Sequence, residues 1–203
     1  MSMRVATLFA WGLLVLALGA LVFALMSRQA ALNQAESLPI LGVVDTSFRL
    51  TNQWGETVTR EQFKGKVWVA YFFFTRCPSV CPIINRNAIT IQRAYADNPD
   101  VFLVGFSVDP KHDTVAVLQK WSQRHGAIKG KWHFLTGERE VIYNLSRKTF
   151  KLGVDPGDAQ HPIVHSDRFV LVDRQGRIRG YYSGMDPAAV QQLIADIQRV
   201  LKE

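Results

Sequence analysis

The sequence has only two cysteines among its 203 residues, and it contains no internal repeat and no low-complexity tract. Two cysteines form at most one disulfide bond within the chain, so the pair is a structural disulfide, a redox couple or part of a metal site. The length is enough for one ordinary hydrophobic core but short for two independent domains. We therefore expect a single folded domain whose chemistry centres on the cysteine pair.

Concentrated positive charge is also missing. The net charge is +7 at pH 7, but basic residues such as Lys64, Lys66, Lys129 and Lys131 stand singly among apolar ones. A nucleic-acid-binding surface gathers its basic residues on one face and interleaves aromatic ones. The pattern predicts an ordinary solvated surface, and nucleic acid is not an expected partner.

Charge of either sign is absent from residues 5–26, which read VATLFAWGLLVLALGALVFALM. A helix of this length reaches about 33 Å at ~1.5 Å per residue, which is enough to cross a bilayer. A cleaved signal peptide has a shorter apolar region and a small-residue cleavage site, and no convincing site follows here. We predict a short tail at residues 1–4, a transmembrane anchor at 5–26, a polar tether at 27–38 and a folded domain at 39–203.

The orientation of this anchor follows from the charges beside it. Arg4 and the free amino terminus lie on one side and Arg28 on the other, so the positive-inside rule only slightly favours a cytoplasmic N-terminus. With that orientation the protein is a single-pass protein of the cell inner membrane. Its C-terminal domain then lies on the periplasmic side, where paired thiols meet an oxidising environment.

The domain itself alternates strands and helices. Two continuous apolar runs, residues 67–74 (VWVAYFFF) and 101–108 (VFLVGFSV), indicate fully buried central strands. Hairpin signals lie at 52–55 and 174–176, and helical periodicity covers about 84–95, 114–124, 139–149 and the segment after Asp186. A strand that leads through a cysteine motif into a helix, with a closing hairpin and a C-terminal helix, is typical of the thioredoxin-like fold. We predict an α/β thioredoxin-like domain with an N-terminal β-hairpin extension.

Both cysteines lie in the stretch TRCPSVCP, with three residues between Cys77 and Cys81. Pro82 is tolerated only in the first turn of a helix, so the helix begins close to Cys81. Both sulfur atoms then lie at the positive end of the helix dipole, which favours thiolates, and Arg76 adds to this effect. A thiolate attacks disulfides and binds soft metals, so the motif alone leaves a redox pair and a metal clamp open.

A transferable metal site seldom has only two ligands, so a third is expected among the five histidines. His165 lies in HPIVHSDRF, directly before the predicted strand 169–173. In a thioredoxin-like topology that loop faces the cysteine helix. Cys77, Cys81 and His165 are therefore the candidate metal ligands, because thiolates suit Cu(I) and the imidazole nitrogen suits Cu(II).

Two further residues are candidates for supporting roles. His161 could replace His165 or receive an arriving ion, since it lies four residues earlier. Asp109, in SVDPKHDT at the end of a buried strand, either orients a ligand from outside the site or caps the next turn or helix. The other three histidines, His112, His125 and His133, are expected on the surface or in hairpins.

Over about residues 38–201 the chain resembles the Sco/SenC proteins, membrane-anchored copper chaperones of cytochrome c oxidase assembly. The resemblance rests on FKGKVWVAYFFFTRCPSVCP, FSVDPKHDT and IVHSDRFVLVDRQGRIRGYYSG. It implies that Cys77, Cys81 and His165 hold copper. It also implies that the protein delivers copper to, or reduces the cysteines of, the dinuclear copper site of oxidase subunit II. Another cuproprotein as target and a copper-donating chaperone as source are further expected partners.

Three alternatives remain open. In a thiol–disulfide oxidoreductase acting on exported proteins, Cys77 attacks, Cys81 resolves, and His165 is dispensable. A peroxiredoxin is disfavoured, because such proteins place a threonine three residues before the reactive cysteine, whereas Thr75 lies two before Cys77. A purely structural disulfide would be oxidised and unreactive in the native protein.

Overall fold

The computed structural model describes residues 11, 16, 18–26, 37–158 and 162–203. The chain divides into an N-terminal unit and a folded unit, Leu38–Glu203. In the first unit residues 18–26 are helical. The predicted tail, most of the tether and part of the predicted anchor lie outside the described residues. Within the described part, no helix has the length and hydropathy that a bilayer crossing requires.

The folded unit contains strands and helices in the mixed order that the apolar runs predict. The strands are β1 (Gly42–Val43), β2 (Arg49–Asn52), β3 (Thr57–Thr59), β4 (Val67–Phe73), β5 (Val101–Ser107), β6 (Trp132–Thr136), β7 (Val154–Asp155), β8 (Val164–His165), β9 (Arg168–Val172) and β10 (Arg177–Ser183). The helices are α1 (Cys81–Ala94), α2 (Val115–Arg124), α3 (Arg139–Asn144) and α4 (Pro187–Val200). A 3₁₀ turn spans Arg60–Phe63, and a π-helix spans Leu145–Thr149.

Eight strands form one sheet in the order β1-β10-β9-β4-β5-β6-β2-β3. β4 pairs in parallel with β5 and antiparallel with β9, and all seven of its residues are buried. Because α1 connects β4 to β5 and α2 connects β5 to β6, these parallel strands are covered and read as continuous apolar runs. The carboxyl end of β4 leads directly into residues 74–80, which contain Cys77 and are called the cysteine loop below.

Some elements differ from the sequence prediction. The β2–β3 hairpin is present, and β2 also joins the main sheet through β6, with Thr51 opposite Thr136. The predicted helix 139–149 is an α-helix only as far as Asn144, after which it widens into the π-helix. Two short pairings were not predicted: β1 beside β10, and a separate two-stranded sheet of β7 and β8.

The beginning of the folded unit is held by one buried side chain. Arg179 is only 3% exposed. It donates hydrogen bonds to the carbonyl oxygens of Leu38 at 2.6 Å and Pro39 at 3.3 Å. It also forms ion pairs with Asp173 at 3.0 Å and with Glu203. A buried guanidinium needs this many acceptors, because an unpaired charge in the interior is strongly destabilising.

Candidate metal centre

The cysteine loop connects the end of β4 to the start of α1. α1 begins at Cys81 with Pro82 in its first turn, as predicted, and Val80 at the N-cap provides no side-chain cap. Cys77 lies in the loop itself, and its N–H donates to the carbonyl oxygen of Phe74 at 3.3 Å. The helix therefore begins at one cysteine while the other remains on the turn that precedes it.

Asp113 holds this loop against β5. Its carboxylate is wholly buried and accepts hydrogen bonds from the N–H and hydroxyl of Thr75, at 3.1 and 2.5 Å. It also accepts from the hydroxyl of Ser107 at 2.5 Å. A carboxylate with this many donors fixes the backbone two residues before Cys77. No sequence pattern singles out Asp113, although it lies in the same SVDPKHDT stretch as Asp109.

Asp109 contacts the loop through a different residue. Its carboxylate accepts from the guanidinium of Arg76, the neighbour of Cys77, at 2.7 Å. Asp109 does not cap α2, since the N-cap of that helix is Thr114, whose hydroxyl accepts from the N–H of Val117. The ion pair with Arg76 places Asp109 beside the cysteine loop, and an orienting role for Asp109 stays a prediction.

His165 approaches from the opposite side of the loop. It lies in the short strand β8, not in the predicted loop, and it is opposite Val154 of β7. Its Nδ1 lies 2.9 Å from the carbonyl oxygen of Ser166, which can only accept, so Nδ1 carries the proton. Nε2 then carries the lone pair, and it lies 3.3 Å from the Sγ of Cys81, whose thiol can donate to it. The ring packs edge-on against Phe74.

The structure brings the three predicted ligands together. The donor atoms of Cys77, Cys81 and His165 all lie within 4.8 Å of one another, and both cysteines are free thiols. Two sulfurs and one imidazole nitrogen suit a soft or borderline ion such as copper. His161 lies outside the described residues. The remaining histidines are not part of this cluster; His125, for example, packs against Trp121 with ring centroids 4.3 Å apart.

The two cysteines differ in acidity. Burial opposes ionisation of Cys77, but hydrogen bonds from the backbone N–H groups of Cys81 and Ser79 outweigh it and hold the pKa of the Cys77 thiol below its ordinary value. Burial raises the pKa of the Cys81 thiol well above its ordinary value. The expectation that both sulfurs favour the thiolate is therefore wrong for Cys81, because its side chain points into the core.

The imidazole is held in its neutral form. Burial lowers the pKa of His165, while the hydrogen bond to the Ser166 carbonyl and the charge of Asp167 oppose this shift in part. A neutral imidazole with a fixed Nε2 lone pair is the form that binds a metal. The site thus combines one acidic thiol, one thiol that must lose its proton on binding, and one nitrogen donor ready to bind.

The SCO1/SenC family model matches residues 41–202. A SCO1/SenC family lipoprotein from Bacillus anthracis is 34% identical, with a TM-score of 0.74 over 80% of this chain and 97% of that one. BsSco, described with a disulfide switch as a member of the Sco family of cytochrome c oxidase assembly proteins, is 29% identical, with a TM-score of 0.72 over 81% and 97%. Copper-bound ScoI from Bradyrhizobium japonicum is 26% identical, with a TM-score of 0.64 over 76% and 98%. These likenesses confirm the predicted thioredoxin-like domain.

Proposed function

This chain belongs to the SCO1/SenC family, and from that premise we propose that it binds copper and acts in the assembly of cytochrome c oxidase. The observation that carries the proposal is the convergence of Cys77, Cys81 and His165 within 4.8 Å. The copper bound to the Bradyrhizobium japonicum relative and the oxidase assembly role of the BsSco family support it.

Copper is the cargo of this site, and the burial of the two sulfurs determines the order in which the ligands release it. Cys81 is 0% exposed and Cys77 is 8% exposed, so an incoming thiolate of a partner meets the ion on the Cys77 side. Ligand exchange then replaces Cys77 first, while Cys81 and His165 retain the ion until the partner supplies further donors. Each sulfur that releases the ion remains a thiolate or takes up a proton from the solvent.

The partner and the cellular place are finer parts of the same proposal. In one role, the protein delivers copper to the dinuclear copper site of oxidase subunit II or to another cuproprotein. In the other, it reduces the cysteines of that site so that they can bind copper. Residues 5–26 anchor the protein in the inner membrane, and the folded unit lies on the periplasmic side. The uncharged run at 5–26 supports the anchor, and the lipoprotein nature of the Bacillus anthracis relative supports attachment to a membrane.

The test is a Cu(I) titration of the reduced full chain against a chromophoric competitor. We expect one Cu(I) per chain and a large loss of affinity in each of Cys77→Ala, Cys81→Ala and His165→Ala. His125→Ala removes an imidazole that packs on Trp121, outside the donor cluster, and it should bind as the unchanged protein does. Equal binding by the three ligand variants and the unchanged protein would rule out the copper site.

A second function is favoured by the unequal acidity of the two thiols. The Cys77 thiolate attacks a partner disulfide, forms a mixed disulfide and releases one partner thiolate. Cys81, after losing its proton, attacks the Cys77 sulfur and releases the second. Two electrons pass to the partner, and a separate dithiol reductant must then restore the Cys77–Cys81 pair.

The two functions separate at His165. If the protein is a reductase alone, His165→Ala leaves the rate of attack by Cys77 on a model disulfide unchanged, and the unchanged protein shows no copper binding that the variant could lose. If it carries copper, the same variant retains that attack but loses copper. Stopped-flow rates with a model disulfide, read beside the Cu(I) titration, distinguish these results.

A further inference from the structure

We propose that Arg147 is the positioning residue for His165: it fixes the β7–β8 hairpin and thereby holds the imidazole at the two sulfurs. This inference deepens the proposed copper binding and rests on it. Arg147 does not touch the donor atoms, and nothing in the cysteine motif points to it.

The strand that carries His165 has little support from the main sheet. Among the strands of the described residues, β8 pairs only with β7, through Val154 opposite His165 and Asp155 opposite Val164, in a sheet of two strands separate from the eight-stranded one. A two-stranded ribbon this short is not stable by itself. On its C-terminal side β8 is held by β9, which begins at Arg168 in the main sheet, so on the other side the position of the imidazole depends on what holds β7.

Arg147 holds β7 at the residue opposite His165. Its Nε and Nη2 both donate to the carbonyl oxygen of Val154, at 3.2 and 2.6 Å. Its guanidinium also lies over the ring of Tyr143, 5.5 Å from the centroid. The hydroxyl of Tyr143 in turn donates to the carbonyl oxygen of Val108, at the end of β5. One side chain thus connects the histidine hairpin to the rigid sheet.

The backbone between Leu145 and Val154 brings the Val154 carbonyl next to Arg147. The π-helix that contains Arg147 closes with the N–H of Phe150 on the carbonyl of Leu145, and Lys151 follows in the left-handed region at φ 53°. The chain then returns along the helix, where the N–H of Leu152 donates to the carbonyl of Ser146 at 2.8 Å. Two residues later the carbonyl of Val154 faces Arg147. Single π-helical turns within α-helices are frequent at functional sites.

The hydrogen bonds that hold the cysteine loop are different ones. The loop before Cys77 is fixed by Asp113 and by the Arg76–Asp109 pair, none of which touches Arg147 or Val154 among the hydrogen bonds of the described residues. Loss of Arg147 should therefore release the imidazole while the two sulfurs keep their geometry. Groups that orient a metal ligand typically change metal affinity by about 10–100-fold.

The experiment measures Cu(I) affinity and the Cu(II) absorption and EPR spectra of the full chain. The variants are Arg147→Ala, Arg147→Lys, His165→Ala and the double variant. Lys148→Ala is the matched control, since it removes a neighbouring exposed positive charge. Backbone hydrogen exchange of β8 and of α1, measured without metal, provides a readout that does not depend on copper.

We expect Arg147→Ala to lose about 10–100-fold in Cu(I) affinity and to weaken the nitrogen hyperfine signal of Cu(II). Arg147→Lys should recover part of both, because one ammonium can still donate to the single Val154 carbonyl. In the His165→Ala background, Arg147→Ala should cost nothing more, because its effect passes through that ligand. Exchange should rise in β8 and stay unchanged in α1.

The inference is overturned if Arg147→Ala binds Cu(I) like Lys148→Ala. It is equally overturned if the loss is undiminished in the His165→Ala background, since Arg147 would then act on the whole domain. If the unchanged protein binds no Cu(I), the proposed function fails, and exchange in β8 still decides the role of Arg147. Unchanged exchange in Arg147→Ala would then reject it.

Discussion

Replacing Asp113 tests whether one buried carboxylate holds the cysteine loop. In Asp113→Ala the N–H and hydroxyl of Thr75 and the hydroxyl of Ser107 lose their shared acceptor. A hydrogen bond to a charged group contributes about 1.5–3 kcal/mol. The sum is reduced because the carboxylate no longer has to be desolvated and because water can reach the half-buried Thr75. We expect a net loss of about 3 kcal/mol in the free energy of unfolding.

Asp113→Asn should cost less, about 1 kcal/mol, since an amide oxygen still accepts and the Thr75 hydroxyl can rotate to accept from the amide N–H. For a domain of this size 1 kcal/mol corresponds to roughly 2–4 °C in Tm, so the alanine variant should melt about 6–12 °C lower. Asp97→Ala removes an exposed carboxylate and is the matched control.

The assay is urea unfolding followed by circular dichroism, together with the rate at which iodoacetamide alkylates Cys77. Asp113→Ala should unfold at lower urea with an unchanged m-value, and its Cys77 should react faster because the loop opens. If Asp113→Ala matches Asp97→Ala in both stability and alkylation, the carboxylate does not hold the loop. A loss of stability with unchanged alkylation would mean that Asp113 stabilises β5 through Ser107 but does not hold the cysteine loop.

Two further results are expected. Because burial keeps Cys81 protonated at neutral pH, Cu(I) binding must release that proton, so the logarithm of the apparent affinity should rise by at least about one per pH unit between pH 6 and 8. A titration with no slope would contradict this, and Cys81→Ala should flatten it. Gly105→Ala should cost about 1–3 kcal/mol in urea unfolding, since its Cβ would lie 2.8 Å from the ring of Tyr71. Gly153→Ala, with open space around it, is the control and should stay within about 0.5 kcal/mol.

The sheet and the cysteine helix were predictable because their signals are local. A run such as 67–74 is short, has no charged position and is rich in aromatic and β-branched residues, which indicates a strand covered on both faces. Pro82 restricts the helix start to within a turn of Cys81. Both features follow from the properties of the residues themselves, and the structure places β4 and α1 where these signals predict.

The surroundings of His165 were harder to predict. β7 and β8 have two residues each, which is too short for any alternation of apolar and polar residues to appear. Arg147 donates to the carbonyl of Val154 in β7, and Lys151 ahead of β7 adopts a left-handed conformation. Neither feature can be read from the residue types, since lysine rarely adopts that conformation. The proximity of His165 to the cysteines came from the expected topology, but its strand and its support did not.

The acidity of the cysteines shows a similar limit. The helix dipole and Arg76 are visible in the sequence and favour thiolates. The direction in which each side chain points is not visible, and it decides that Cys81 is desolvated while Cys77 meets backbone N–H groups. Depth in the core, set by tertiary packing, overrides the local electrostatic signal for one cysteine of the two.

The hydrogen bonds from Arg179 to the carbonyl oxygens of Leu38 and Pro39 have a mechanical consequence. A force applied to the chain ahead of Leu38 acts first on the hydrogen bond from the Arg179 guanidinium to the Leu38 carbonyl. The ion pairs of Arg179 with Asp173 and Glu203 hold that guanidinium in place. These contacts lie at the end of the sheet where Gly42 is opposite Ile178, whereas the cysteine loop leaves the other end of β4. A force on the chain ahead of Leu38 is thus resisted by backbone and ion-pair contacts that share no residue with Cys77, Cys81 or His165.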